Sequence, residues 1–400
     1  MQCLDVAIMQ RDSPMKKCLY FMLVLALAGT VSAVEPVIEV TPKLYQVSED
    51  GVTPQATKVP SRLQYIYRGS DEEYKFCHHP CLIAFRDQLF CIWSNGKVGE
   101  DEVGQRLAVS VSDNGRQWSS VKPLLNLEQL EQFDQHVFVA TGLLVREDKL
   151  VAFYTITPGE NFHEDTALYF SESSDGENWT DPFRITDGFF INPPVVVNGG
   201  RLLLGGELVA ESDRETRRSK LIYHDGQSLR VGWSVAEIDE GDISRIGYAE
   251  PNFIDRQHDV VALFRNYTGK LLVSRSKDRG QSWEPLSNSR IPDSTARFAT
   301  GSLPGGVRYI VSNALHEKFD RRALLISLST DQGESFSRVF VLRDEPAEKR
   351  FDGQHKMNGW QYPHGYLWKN KFFVVHSVNK EDVALSVLKL KTLMTFAEGE

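Results

Sequence analysis

Ser276-Lys277-Asp278-Arg279-Gly280-Gln281-Ser282-Trp283 and Ser329-Thr330-Asp331-Gln332-Gly333-Glu334-Ser335-Phe336 share one pattern, Ser-x-Asp-x-Gly-x-x-(Trp/Phe). Two earlier stretches vary it. Val111-Ser112-Asp113-Asn114-Gly115-Arg116-Gln117-Trp118 has Val for the leading Ser, and Ser173-Ser174-Asp175-Gly176-Glu177-Asn178-Trp179 is one residue tighter. These residue types suit a hairpin tip: Asp and Ser bond local backbone N–H groups, Gly accepts positive φ, and the aromatic ring pins the turn to its sheet. The aromatic anchors fall 61, 104 and 53 residues apart. A degraded fifth copy, His224-Asp225-Gly226-Gln227-Ser228-Leu229-Arg230-Val231-Gly232-Trp233, divides the long gap into 54 and 50. A period of about 50 residues means an array of supersecondary units, none able to bury its own faces alone.

Strand pairs alternate with turns around these copies. Cys81–Phe85 and Leu89–Trp93 form the first hairpin, Thr141–Val145 and Lys149–Thr155 the second, Pro194–Val197 and Arg201–Gly205 the third. Asn252–Ile254 with Val260–Arg265, Ala299–Leu303 with Arg308–Asn313, and His364–Leu367 with Phe372–Ser377 complete the set. All are rich in β-branched or aromatic residues with turn formers at the tip. The sixth hairpin is followed by one strand only, Asp382 to Leu390, so a segment within Val34 to Tyr74 is expected to supply its fourth. Such closure hides the sheet edge that a ring of sheets would otherwise expose. The expectation is an all-β, six-bladed propeller of four-stranded antiparallel blades, a single domain over residues 34–400 without convincing amphipathic helices. Leu125 to Phe133 is at most a short connector.

The hydrophobic content of 41% supports a large core, and the net charge of −9 with no basic block speaks against nucleic acid as a partner. Residues 1–33 read as a secretion signal, with Met15-Lys16-Lys17 as basic start, Leu19 to Val31 as apolar run and Val31-Ser32-Ala33 as cleavage site; Met15 is then a candidate start of translation. The apolar run is short for a membrane span, and no later segment is suited to cross a bilayer. Cys77, Cys81 and Cys91 remain after cleavage, too few for a disulfide framework, with Cys81 and Cys91 placed to pair across their hairpin. Cys77-His78-His79-Pro80-Cys81 superficially resembles a metal knot. On an extended segment its side chains alternate between faces, so no metal and no cofactor is expected.

In a propeller the inner strands converge on the axis, so a site belongs where unusual polar residues recur at one end of successive blades. His78, His79 and Trp93 belong to blade one, His136 and Tyr154 to blade two, Asn192 and Glu207 to blade three. Glu250, Asn252 and Arg265 follow in blade four, Arg297 and Asn313 in blade five, Gln361, Tyr362 and His364 in blade six.

The repeated turn resembles the Asp-box of the sialidase-like β-propellers. Glu250, Arg265 and the Ser276 turn resemble the sialidase succession of catalytic Glu, substrate-binding Arg and Asp-box, and Tyr362 opens the last inner strand as the sialidase nucleophile does. Arg321 or Arg322, before the Ser329 turn, resembles another arginine of the sialidase triad. The resemblance implies a Tyr nucleophile with Glu250 as its base, arginines gripping a carboxylate, and an acid from Asp101 or Glu102. The chemistry is coherent, because a phenol with a pKa near 10 needs a carboxylate to take its proton. One departure is plain: sialidases begin the first inner strand with Phe-Arg-Ile-Pro, where this chain reads Cys77-His78-His79-Pro80. That speaks against strict sialidase specificity and makes His78 or His79 a candidate acid or base.

Three functions stay open. The leading one is a secreted exo-acting glycoside hydrolase on a terminal acidic sugar, with Arg265, Arg297, Arg321, Arg322, His136, Gln361, His364 and Trp93 as substrate-binding candidates. The second is a uronic-acid polysaccharide lyase, in which His or Tyr removes the proton beside a carboxylate neutralised by Arg265. The third is a carbohydrate-binding propeller without catalysis. A glycan is the expected partner in all three.

Overall fold

The structure is a computed structural model that describes residues 36–49, 54–159, 163–209, 218–241, 248 and 250–398. The expected signal, residues 1–33, lies outside them. From Val37 onward the chain forms one compact unit.

Six antiparallel sheets follow one another. Blade one consists of Phe76–Phe85, Gln88–Gly96, Arg106–Ser112 and Lys122–Pro123; blade two of His136–Arg146, Lys149–Pro158, Ala167–Ser173 and Phe183–Asp187. In blade three the inner strand is broken into Phe189–Phe190 and Val195–Val197, followed by Arg201–Leu208, Arg218–His224 and Trp233–Val235. Blade four is built from Asn252–Asp255, Val260–Phe264, Lys270–Ser276 and Ser287–Pro292, and blade five from Ala299–Ser302, Arg308–Ser312, Leu324–Ser329 and Arg338–Arg343. Blade six runs Trp360–Trp368, Lys371–Val378 and Asp382–Lys389, and its outer strand is Arg62–Arg68, antiparallel to Asp382–Lys389. The ring therefore closes with an N-terminal strand, as the unpaired edge of Asp382–Lys389 required.

The core is distributed between blades, and separate apolar clusters fill the successive gaps. Leu203 with Phe253 and Trp283 joins blades three and four; Leu324, Ile326 and Leu328 with Val374 and Leu388 join blades five and six. Corresponding clusters lie between blades one and two (Ile92, Phe138), two and three (Phe153, Leu204), four and five (Val261, Ile310) and six and one (Phe373, Leu89). Each blade buries its two faces chiefly against its neighbours, which is why the repeat cannot stop short of a ring.

The Asp-box turns join the third and fourth strands. Asp278 accepts the backbone N–H groups of Gln281 (3.0 Å) and Ser282 (2.9 Å), and Ser276 Oγ accepts that of Gly280 (2.7 Å). Gly280 has φ +91, and a Cβ there would meet Leu203 of the preceding blade at 2.6 Å, so glycine is required by conformation and by space. The first copy differs from the sequence expectation. Ser112 Oγ accepts Gly115 N–H (2.9 Å) and Asn114 Oδ1 accepts Arg116 and Gln117 N–H (2.7 and 3.0 Å). Asn114 thus performs the Asp role, Ser112 is the leading Ser, and Asp113 instead accepts Gln88 Nε2. In the degraded copy Asp225 leaves the turn and pairs with Arg201.

Two further expectations are corrected. Cys77, Cys81 and Cys91 are free and buried. Cys91 lies opposite Leu82, not Cys81, so the two thiols enter different inter-blade clusters. An amphipathic helix does exist, Leu390–Glu398, which buries Leu393 and Ala397 on the cluster between blades five and six. Leu125 to Phe133 contains two single 3-10 turns. Among the described residues, no helix is long and apolar enough to cross a membrane.

Burial alone would raise the Asp278 carboxyl, but hydrogen bonds from Ser282, Ser276 and Gln281 outweigh it and bring it down to about 2. Its stabilising contribution is therefore full above the unfolded value of about 3.9 and is lost as pH falls through about 2. Asp278→Ala is expected to destabilise by about 1 kcal/mol per lost hydrogen bond, read as a lower melting temperature at pH 7, and the difference from wild type should shrink in strong acid.

Candidate functional site

Inner strands carry an X-Pro step near their start: His79-Pro80, Asn192-Pro193, Glu250-Pro251 and Tyr362-Pro363. Proline lacks the N–H that a ladder needs, and an inner edge facing the axis tolerates that loss. The register slips between His78 and Cys81 in blade one and between Gln361 and His364 in blade six. Such bulges re-aim a side chain. A residue before proline is normally extended, yet His79, Glu250 and Tyr362 have φ of 55°, 31° and 55°. Left-handed backbone also occurs at Asp101, Tyr248, Phe319, His355 and Lys380. All of these residues line one cavity of about 300 Å³. Strained non-glycine backbone concentrates where surrounding structure holds it for a purpose.

At the centre of that cavity Arg265 Nη1 donates to the Tyr362 hydroxyl at 2.8 Å and also binds Glu250 Oε2. Two oxygens held by one nitrogen are neighbours, so residues from blades four and six meet at one point. Tyr248 covers the guanidinium, its ring centroid 4.6 Å from Arg265 Cζ. Burial works against the Arg265 charge, but Glu250 and Tyr362 more than compensate and raise its pKa above the ordinary value. Burial pushes the Tyr362 phenol up to about 12, against the opposing pull of Arg265 and Arg321. The phenol is protonated at neutral pH and needs a base.

Four cations surround the Tyr362 ring: Arg265, Arg297 and Arg321 place Cζ at 5.9, 5.9 and 5.4 Å from its centroid, and Lys380 places Nζ at 6.0 Å. Glu250 balances Arg265, and Glu100 pairs with Lys380. Arg321 donates to Gln361 Oε1 (3.3 Å) and Thr295 O (3.0 Å), and forms no carboxylate ion pair among the described residues. A buried cation without an anion is costly, and an anion reaching Arg321 would offset that cost.

Other sequence candidates separate clearly. Asp101 lines the cavity, whereas Glu102 lies over Gly99 outside it. Arg321 lines it, whereas Arg322 is exposed and pairs with Asp320 and Glu317. Gln361 acts on Arg321 from behind. Trp93 is wholly buried in the core between blades six and one, and His136 packs on Phe133, so neither reaches the cavity. His364 and Arg297 face a second cavity further along the axis. His79 lines the site, while His78 is sealed beneath Tyr362 with ring centroids 3.8 Å apart. Burial, then nearby cations, holds both imidazoles well below their ordinary pKa, which disfavours the imidazolium that a histidine acid requires.

Sequence reasoning missed Lys380, Glu100, Tyr248, Phe319, His355 and Met357, which line the cavity from turns and inter-blade loops. Loops carry no periodic signal; the X-Pro steps were the usable one. His78, His79 and Glu100 offer donor atoms within 4.8 Å of one another. The ammonium of Lys380 on Glu100 and the surrounding arginines oppose a metal cation there. A larger hollow of about 530 Å³ lies between the turns of blades one and two, but its Asp175 and Ser112 are spent on turn hydrogen bonds.

The family model described as the BNR repeat-like domain matches residues 87–375. No curated protein matches the sequence. Among solved structures, a protein of unknown function from Dyadobacter fermentans is similar with a TM-score of 0.62 at 14% identity, over 84% of this chain and 99% of that one. The Trypanosoma rangeli sialidase in complex with sialic acid gives 0.60 at 14% identity, over 86% of this chain and 61% of that one. The NanB sialidase from Streptococcus pneumoniae gives 0.60 at 12% identity, over 82% and 71%. At these identities the likeness is one of fold.

Proposed function

The chain belongs to the BNR repeat-like domain family, and from that premise we propose that it is an exported glycoside hydrolase acting on a terminal acidic sugar. The observation that carries this reading is the Arg265 Nη1 contact to both Tyr362 and Glu250, beside Arg321, which forms no carboxylate ion pair among the described residues. Tyr362 attacks the anomeric carbon as its proton passes to Glu250; the glycosidic C–O bond breaks, and Asp101 protonates the departing oxygen. Water then adds to the anomeric carbon as its proton passes to Asp101; the bond from that carbon to the Tyr362 oxygen breaks, and the phenol recovers its proton from Glu250.

Arg321 and Lys380 hold the sugar's carboxylate in this scheme. The Lys380 ammonium binds Glu100, whose Oε1 lies 3.7 Å from Nε2 of His78, the residue at the place where the sialidase pattern has its first arginine; this supports the reading that Lys380 stands in for that arginine. An ammonium is a point charge and not a planar fork, so the acidic group need not be presented as in sialic acid. Export through residues 1–33 belongs to the same reading.

A screen of sialosides, rhamnosides and uronic-acid polysaccharides, with products identified by mass, tests it. Release of a saturated acidic monosaccharide is expected. An unsaturated, ultraviolet-absorbing sugar would establish a lyase instead, and binding without turnover a carbohydrate-binding propeller.

A further inference from the structure

Inner strands of all six blades, with the residues leading into them, contribute to the second axial cavity, of about 250 Å³. Its walls are mostly apolar, including Leu82, Leu143, Pro193 and Val195, and among the described residues they contain one cation, Arg297, and no carboxylate. Arg297 is 1% exposed. Its Nε donates to Asn192 Oδ1 at 2.8 Å, but Nη1 has no hydrogen-bond partner, and no carboxylate pairs with it among the described residues. His364 lies on the same wall and accepts the Leu82 N–H on Nδ1 at 3.2 Å. Its proton therefore rests on Nε2, a second donor. A buried guanidinium without an anion is a large uncompensated cost. Val196, 52% exposed, marks an opening to solvent.

We propose that this cavity binds a small monovalent inorganic anion on Arg297 Nη1, with His364 as second donor. The space suits an ion and a few waters, each taking roughly 30 Å³. Because Arg297 Cζ lies 5.9 Å from the Tyr362 ring, the bound anion would also temper the cationic shell around the candidate nucleophile.

Bromide is the probe. Crystals of the whole mature protein soaked in sodium bromide should show an anomalous peak in contact with Arg297 Nη1, absent in Arg297→Met. In solution, bromide should raise the melting temperature by about 2–5 °C over gluconate at equal ionic strength, and the variant should lose that difference. Bromide sites elsewhere with none at Nη1, or equal melting temperatures in both salts, would overturn the proposal. Should Arg297→Met not fold, the wild-type peak and salt comparison still decide it.

Discussion

Tyr362→Phe is expected to lower turnover of the acidic glycan by at least about a thousandfold, the scale seen when a catalytic nucleophile is removed. The ring stays, so its packing on His78 and among the four cations is retained. Only the hydroxyl and its bond from Arg265 are lost. The melting temperature should change by no more than a few degrees, and substrate should still bind. Steady-state kinetics beside a thermal melt separates these effects. A variant with full activity would remove Tyr362 as nucleophile and leave the chemistry to another group lining the cavity, such as His79.

Arg321→Met is expected to weaken binding of the acidic substrate by about 2–5 kcal/mol, the cost of truncating one partner of a buried charge pair. That is roughly thirtyfold to several thousandfold in KM. A neutral analogue of the same sugar, its carboxylate converted to an amide, should lose far less. Arg322→Met serves as the control, because Arg322 is exposed and spends its charge on Asp320 and Glu317. If both substrates suffer equally, Arg321 supports the wall and does not read the charge.

Choosing between adjacent residues was beyond sequence reasoning. Asp101 and Glu102, or Arg321 and Arg322, are chemically equivalent neighbours, and only the local turn decides which enters the cavity. Asn114 shows the same limit on a smaller scale: its register in the first turn depends on which side chain receives the backbone N–H groups. The nine-residue helix Leu390–Glu398 was missed because its buried face consists of little more than Leu393 and Ala397.

Turn chemistry and strand alternation are local, so the repeat, the six blades and the need for a closing strand could be read directly from neighbouring residues. The site is different in kind. Lys380, Glu100 and Tyr248 come from loops with no pattern, and they matter because ring closure carries them to one end of the axis beside Tyr362. Charge balance there is a sum over side chains up to hundreds of positions apart. No stretch of sequence contains that sum, since it depends on distances that exist only once the blades are packed.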